Sequence, residues 1–136
     1  MILTRIRALG TAALVAATLA GCGDRKPEPP KMSEVFPNLP LPPDPRFVSR
    51  SGGEDALQLT VLTPTPRARV ELYYREMLNR NGWKLVNQAK DAEGALVLLA
   101  EQKGPPLWVR IRSADDTAST YVEFSGARLA GSKPAS

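Results

Sequence analysis

Between residues 56 and 63 apolar and polar side chains alternate, with Leu57, Leu59 and Val61 on one face and Gln58 and Thr60 on the other. That period of two predicts a half-buried strand, which Pro64 and Pro66 end. Beyond it the period changes. Val70, Tyr73, Tyr74, Met77 and Leu78 recur at i, i+3, i+4, i+7 and i+8, the apolar stripe of an amphipathic helix. Arg67, Arg69, Glu71, Arg75, Glu76 and Arg80 populate its other sides, with Glu71 and Arg75 spaced as an i,i+4 ion pair. Thr65 is placed to cap this helix, Pro66 suits its first position, and Asn81-Gly82 closes it. Strand character then returns over residues 83–88, 95–101, 107–113 and 120–125, with short turns between. A further short strand, residues 46–50, precedes the turn Ser51-Gly52-Gly53-Glu54-Asp55. The predicted order is ββ-α-ββββ: an α+β fold, an antiparallel sheet of about five to six strands with one helix across one face. The domain should span residues 46–128, and residues 129–136 read as a disordered tail.

Upstream the pattern breaks. Eight of the thirteen prolines lie between Gly23 and Pro45: Pro27, Pro29, Pro30, Pro37, Pro40, Pro42, Pro43 and Pro45. Each fixes φ and removes a backbone donor, so residues 22–45 read as an extended, polyproline-like tether with no helix or inner strand. Its full reach would be on the order of 70 Å. Val35, Phe36, Leu39 and Leu41 are apolar within it and are expected to dock, on the domain in preference to a partner.

The first residues carry a separate signal. Arg5 and Arg7 form a positive region, and Ala8 to Leu19 an uncharged apolar run. The run is shorter than the roughly 20 residues needed to span a bilayer core, so residues 1–21 read as a signal peptide. Leu19-Ala20-Gly21-Cys22 resembles the lipobox of bacterial lipoproteins at all four positions. The resemblance implies cleavage between Gly21 and Cys22, diacylglycerol on the Cys22 thiol, and acylation of the new amine, commonly with palmitate. Gly23, in place of Asp, follows the cysteine; by resemblance to sorting in two-membrane bacteria this implies the outer membrane, facing the periplasm, with Asp24 pulling weakly the other way. The stretch from Tyr73-Tyr74 through Leu78 to Gly82-Trp83 also resembles a helix-to-strand pattern in small bacterial envelope lipoproteins, which implies the fold and is nearly silent on activity.

Composition narrows the chemistry. The chain has 136 residues, one Cys and no His. That excludes intrachain disulfides, His-based triads and most zinc or copper chemistry, and no cofactor or metal is expected. The formal charge is +4, and without Arg5 and Arg7 sixteen basic residues face fourteen acidic ones. Basic residues are scattered along the chain, so nucleic-acid binding is not expected. The adjacent acids Glu54-Asp55 and Asp115-Asp116 fall in predicted turns, where carboxylates are usually solvated. A catalytic pair would need to share a cleft, with one member partly buried.

The better lead is the outer face of the sheet. With Leu107, Val109 and Ile111 turned inward, Trp108, Arg110 and Arg112 face out; the next strand sends Tyr121 and Glu123 the same way. A turn near Asp116-Thr117 sets Arg110 opposite Glu123 and Arg112 opposite Tyr121. Trp, Tyr and Arg are enriched at binding hot spots, so this face could grip another envelope protein or an anionic envelope polymer. The favoured reading is plainer: an ordinary solvent face with an Arg110–Glu123 ion pair and Arg112 stacked on Tyr121. The sequence thus points to a membrane-anchored, non-catalytic binding or structural accessory. The alternative is a small His-free envelope enzyme using carboxylates or a Ser/Lys pair.

Overall fold

The computed structural model describes residues 30–129. The leader with Gly21 and Cys22, and the tail from Ala130, lie outside the described residues. In chain order the elements are α1 (Met32–Val35), β1 (Arg46–Gly52), β2 (Ala56–Thr63), α2 (Arg67–Met77), β3 (Lys84–Lys90), β4 (Leu96–Glu101), β5 (Leu107–Ser113) and β6 (Thr120–Ala127). The strands form one antiparallel sheet in the order β1-β2-β6-β5-β4-β3. This is the expected α+β fold, with one short helix added in front.

The order has a consequence for α2. It leaves β2 in one half of the sheet and must deliver the chain to β3 at the far edge, so it crosses one face of the sheet. Val70, Tyr74 and Leu78 are buried there against Leu98, Val109, Ile111 and Phe124. Pro66 itself is the N-cap residue, and its carbonyl accepts from the Arg69 and Val70 amides. The cap expected from Thr65 is absent: the Thr65 hydroxyl is paired with the Thr63 hydroxyl (3.1 Å), and its carbonyl accepts from the Thr120 hydroxyl. At the other end Asn81 (φ 55°) and Gly82 (φ 88°) form a left-handed pair that turns the chain into Trp83 and β3.

The expected tether differs most from what is observed. From Pro30 onward the proline-rich segment is a strap laid on the helix side of the sheet. The proline-free stretch Lys31–Phe36 forms the single turn of α1, which the density of prolines around it had argued against. Val35 and Phe36 are 1% and 3% exposed, built into the same core as Phe124. Burying two such side chains contributes about 1.5–3 kcal/mol each.

Prolines cannot donate, but their carbonyls still need partners once water is excluded. Side chains of the domain supply the donors. Arg50 donates to the Pro30 carbonyl (2.7 Å), Gln102 to Pro37 (3.1 Å) and the Trp83 indole to Asn38 (3.2 Å). The Tyr74 and Tyr73 hydroxyls donate to Pro40 (2.8 Å) and Leu41 (2.6 Å), and Thr63 donates to Pro43 (2.5 Å). Burial pushes both tyrosine hydroxyls above the ordinary phenol value, Tyr74 well above it with Tyr73 adding to the shift.

The strap also explains a glycine in β6. A Cβ on Gly126 would stand 2.8 Å from Phe36 Cε1 and 3.0 Å from Val35 Cγ1, inside contact distance of two buried side chains. Gly126→Ala should therefore destabilise the protein by about 1–3 kcal/mol. Limited proteolysis should then open the strap before the sheet, and unchanged stability with an uncut strap would show that it does not pack there.

Candidate functional site

The outer face of the sheet carries the side chains that the sequence singled out. Arg110 pairs with Glu123, and Arg112 with Tyr121, in the β5–β6 ladder. Trp108, opposite Ser125 on one side and Leu99 on the other, is 45% exposed. The four residues Trp108, Arg110, Arg112 and Tyr121 thus share one face, because β5 and β6 are antiparallel neighbours with all their aliphatic partners turned to the core.

Arg110 is the most constrained of them. Its Nε donates to Asp91 Oδ2 (2.6 Å), its Nη1 to Glu123 Oε2 (2.8 Å) and its Nη2 to Glu93. Arg112 shares Glu123 through its Nε (3.2 Å), and its guanidinium carbon lies 4.3 Å from the centre of the Tyr121 ring. Two guanidinium groups therefore meet three carboxylates. The hydrogen bonds from Arg110 to Glu123 and Asp91 hold its proton more firmly than usual. The Arg110 hydrogen bond, with the Ala95 and Glu93 amides adding to it, holds the Asp91 carboxyl below its usual range.

Asp91 and Glu93 were not singled out by the sequence. They sit in the β3–β4 turn, where acids read as solvated, and only the register across three strands brings them to Arg110. Asp91 also accepts the Glu93 and Ala95 amides through Oδ1, so one carboxylate shapes the turn and ties it to β5.

Of the acids considered for catalysis, the carboxylates of Asp55 and Asp116 have structural partners. The Glu54 carbonyl and the Asp55 carboxylate accept from Arg128. The Asp116 carboxylate accepts from the Ser119 amide and hydroxyl across the β5–β6 turn. Asp116 does line an open pocket of about 420 Å³ with Asp44, Arg46 and Ser119. Both of its carboxylates are exposed, without the desolvation that prepares a catalytic acid. Among the described residues no group of three or more Cys, Asp and Glu side chains could hold a metal ion.

A family model described as START domain-like matches residues 44–119. The chain belongs to the START domain-like family. No curated protein and no solved structure matches it. Within this START domain-like chain the matched stretch holds β1 to β5 and α2; the strap and β6 lie outside it. Trp108, Arg110 and Arg112 fall inside the match, while Tyr121 and Glu123 lie in the strand that follows. Membership is consistent with a small binding domain, and the leader that resembles a lipoprotein signal falls outside the match.

The Arg110 cluster has a pH signature. Asp91 titrates below its ordinary value of 3.8 in the folded state, so its stabilising contribution is complete above that value. It is lost as pH falls through the lowered folded value. Thermal melts from pH 7 to pH 2 should show a steeper acid decline for the native chain than for Asp91→Asn. Parallel declines would mean that the contact adds nothing in solution.

Proposed function

We propose that this START domain-like chain is a lipid-anchored, non-catalytic binding module of the cell envelope. Cys22 carries the anchor, and the outer sheet face around Trp108 takes the partner. The single observation that carries the binding half is the exposed Trp108 indole on a face made rigid by the Arg110 cluster. A large aromatic held on a preorganised sheet loses little entropy when it is covered. The anchoring half is supported by Leu19-Ala20-Gly21-Cys22 at the end of an apolar run.

The partner is a protein of the envelope. An anionic polymer would need unspent positive charge, and here two arginines already face Asp91, Glu93 and Glu123. Arg110 and Arg112 act as the frame of the surface, and Trp108 with Tyr121 as its contact. With Gly23 after the cysteine, the outer membrane facing the periplasm is the favoured compartment where two membranes exist.

Crosslinking in intact cells with mass identification of the adducts should recover one envelope protein. Trp108→Ala should remove that adduct and leave the unfolding free energy within about 0.5 kcal/mol of native, as for an exposed position. Recovery of the same adduct from Trp108→Ala would refute this face as the binding surface. Cys22→Ser should abolish fatty-acid labelling and block leader cleavage; labelling that persists would refute the anchor.

A further inference from the structure

The strap emerges from the domain beside a second apolar surface. On β1 the ladder to β2 shifts between Phe47 and Ser49, so Val48 is an extra residue and Phe47 and Val48 both project from the edge strand. They are 55% and 47% exposed, and Met32 of α1 beside them is 39% exposed. Together with Ser49 and Arg50 they rim an open groove of about 390 Å³ whose floor is the buried Leu59. Large exposed apolar side chains scattered singly need no explanation, but three around one groove do.

The way Pro30 is held indicates what covers them. Pro30 is buried, and its carbonyl is held by Arg50, which itself rims the groove. The chain is thereby fixed at the groove's edge, with Cys22 eight residues upstream. Eight residues reach at most about 29 Å when fully extended. A lipidated Cys22 therefore keeps this rim close to the leaflet. Lys31 and Arg50, both exposed, give the rim a positive charge suited to anionic headgroups. The nearby Glu34 carboxylate faces Arg128 (3.9 Å) and accepts from the Lys31 amide.

We propose that the groove at Met32, Phe47 and Val48 is a leaflet-contact surface, which beds into the headgroup region once Cys22 is anchored. The proposal rests on the reading of Cys22 as lipidated. It fixes the domain's orientation: the helix-side edge at β1 meets the lipid, and Trp108, on the opposite face of the sheet, is turned toward the aqueous compartment. A long exposed edge strand such as β1 invites pairing with other chains, and contact with lipid would shield it.

The test uses the full chain with p-benzoylphenylalanine in place of Phe47, or of Trp108 as the control, in a host that processes lipoproteins. Each product is reconstituted into phosphatidylethanolamine–phosphatidylglycerol vesicles and irradiated, and fatty-acid labelling is scored on the same sample. Labelled protein should give several-fold more phospholipid adduct from position 47 than from position 108. Labelled protein with equal adducts at the two positions, or with position 47 joined only to protein, would overturn the leaflet surface and leave the anchor standing. Unlabelled protein would overturn the anchor, and the leaflet surface with it.

Discussion

Carbonyl groups along the strap, with few amides of their own to pair with, need donors, and the domain is arranged to provide them. Tyr73, Tyr74 and Trp83 each present an apolar body to the core and a polar tip to the strap. The same three side chains therefore join α2, the start of β3 and residues 38–41 into one unit. A Tyr74 hydroxyl left buried without the Pro40 carbonyl would cost about 1–3 kcal/mol. Without the aromatic donors the strap would keep the burial of Val35 and Phe36 and the hydrogen bonds from Arg50, Gln102 and Thr63.

That constraint gives the two faces of the sheet different roles. The helix side is closed by α2 and the strap, down to the space that Gly126 leaves for Phe36. The outer side is open, and polar contacts organise it. Arg110 draws the β3–β4 turn, β5 and β6 together through Asp91, Glu93 and Glu123, which leaves Trp108 standing on a stiff surface. The strap also shortens the link to Cys22 from the whole proline-rich stretch to the few residues before Pro30, so a membrane anchor would carry the domain near the bilayer.

The strands and their faces were legible because period-two alternation and short turns fix both direction and register. β2 and β5 fall on the expected residues, and the Arg110–Glu123 and Arg112–Tyr121 pairs follow from one turn position. The strap was only partly legible. Its prolines were read for the structure they forbid, while the demand of their carbonyls for donors depends on side chains up to 65 positions away, as between Gln102 and Pro37. Asp91 and Glu93 escaped notice for the same reason: an acid in a turn looks solvated until three strands are aligned. Thr65 failed as a cap because Thr63 and Thr120, distant in sequence from each other, claim its neighbourhood first.

The chain has two tryptophans, and they stand in opposite circumstances. Trp83 is 6% exposed and donates to the Asn38 carbonyl, while Trp108 is 45% exposed on the outer face. Hydrogen exchange of the two indole N–H groups by NMR reads the strap directly. A docked strap predicts that the Trp83 indole exchanges only through large-scale opening of the fold, while the Trp108 indole exchanges freely. Two indoles exchanging at similar, unprotected rates would contradict the account, since the strap would then not be held.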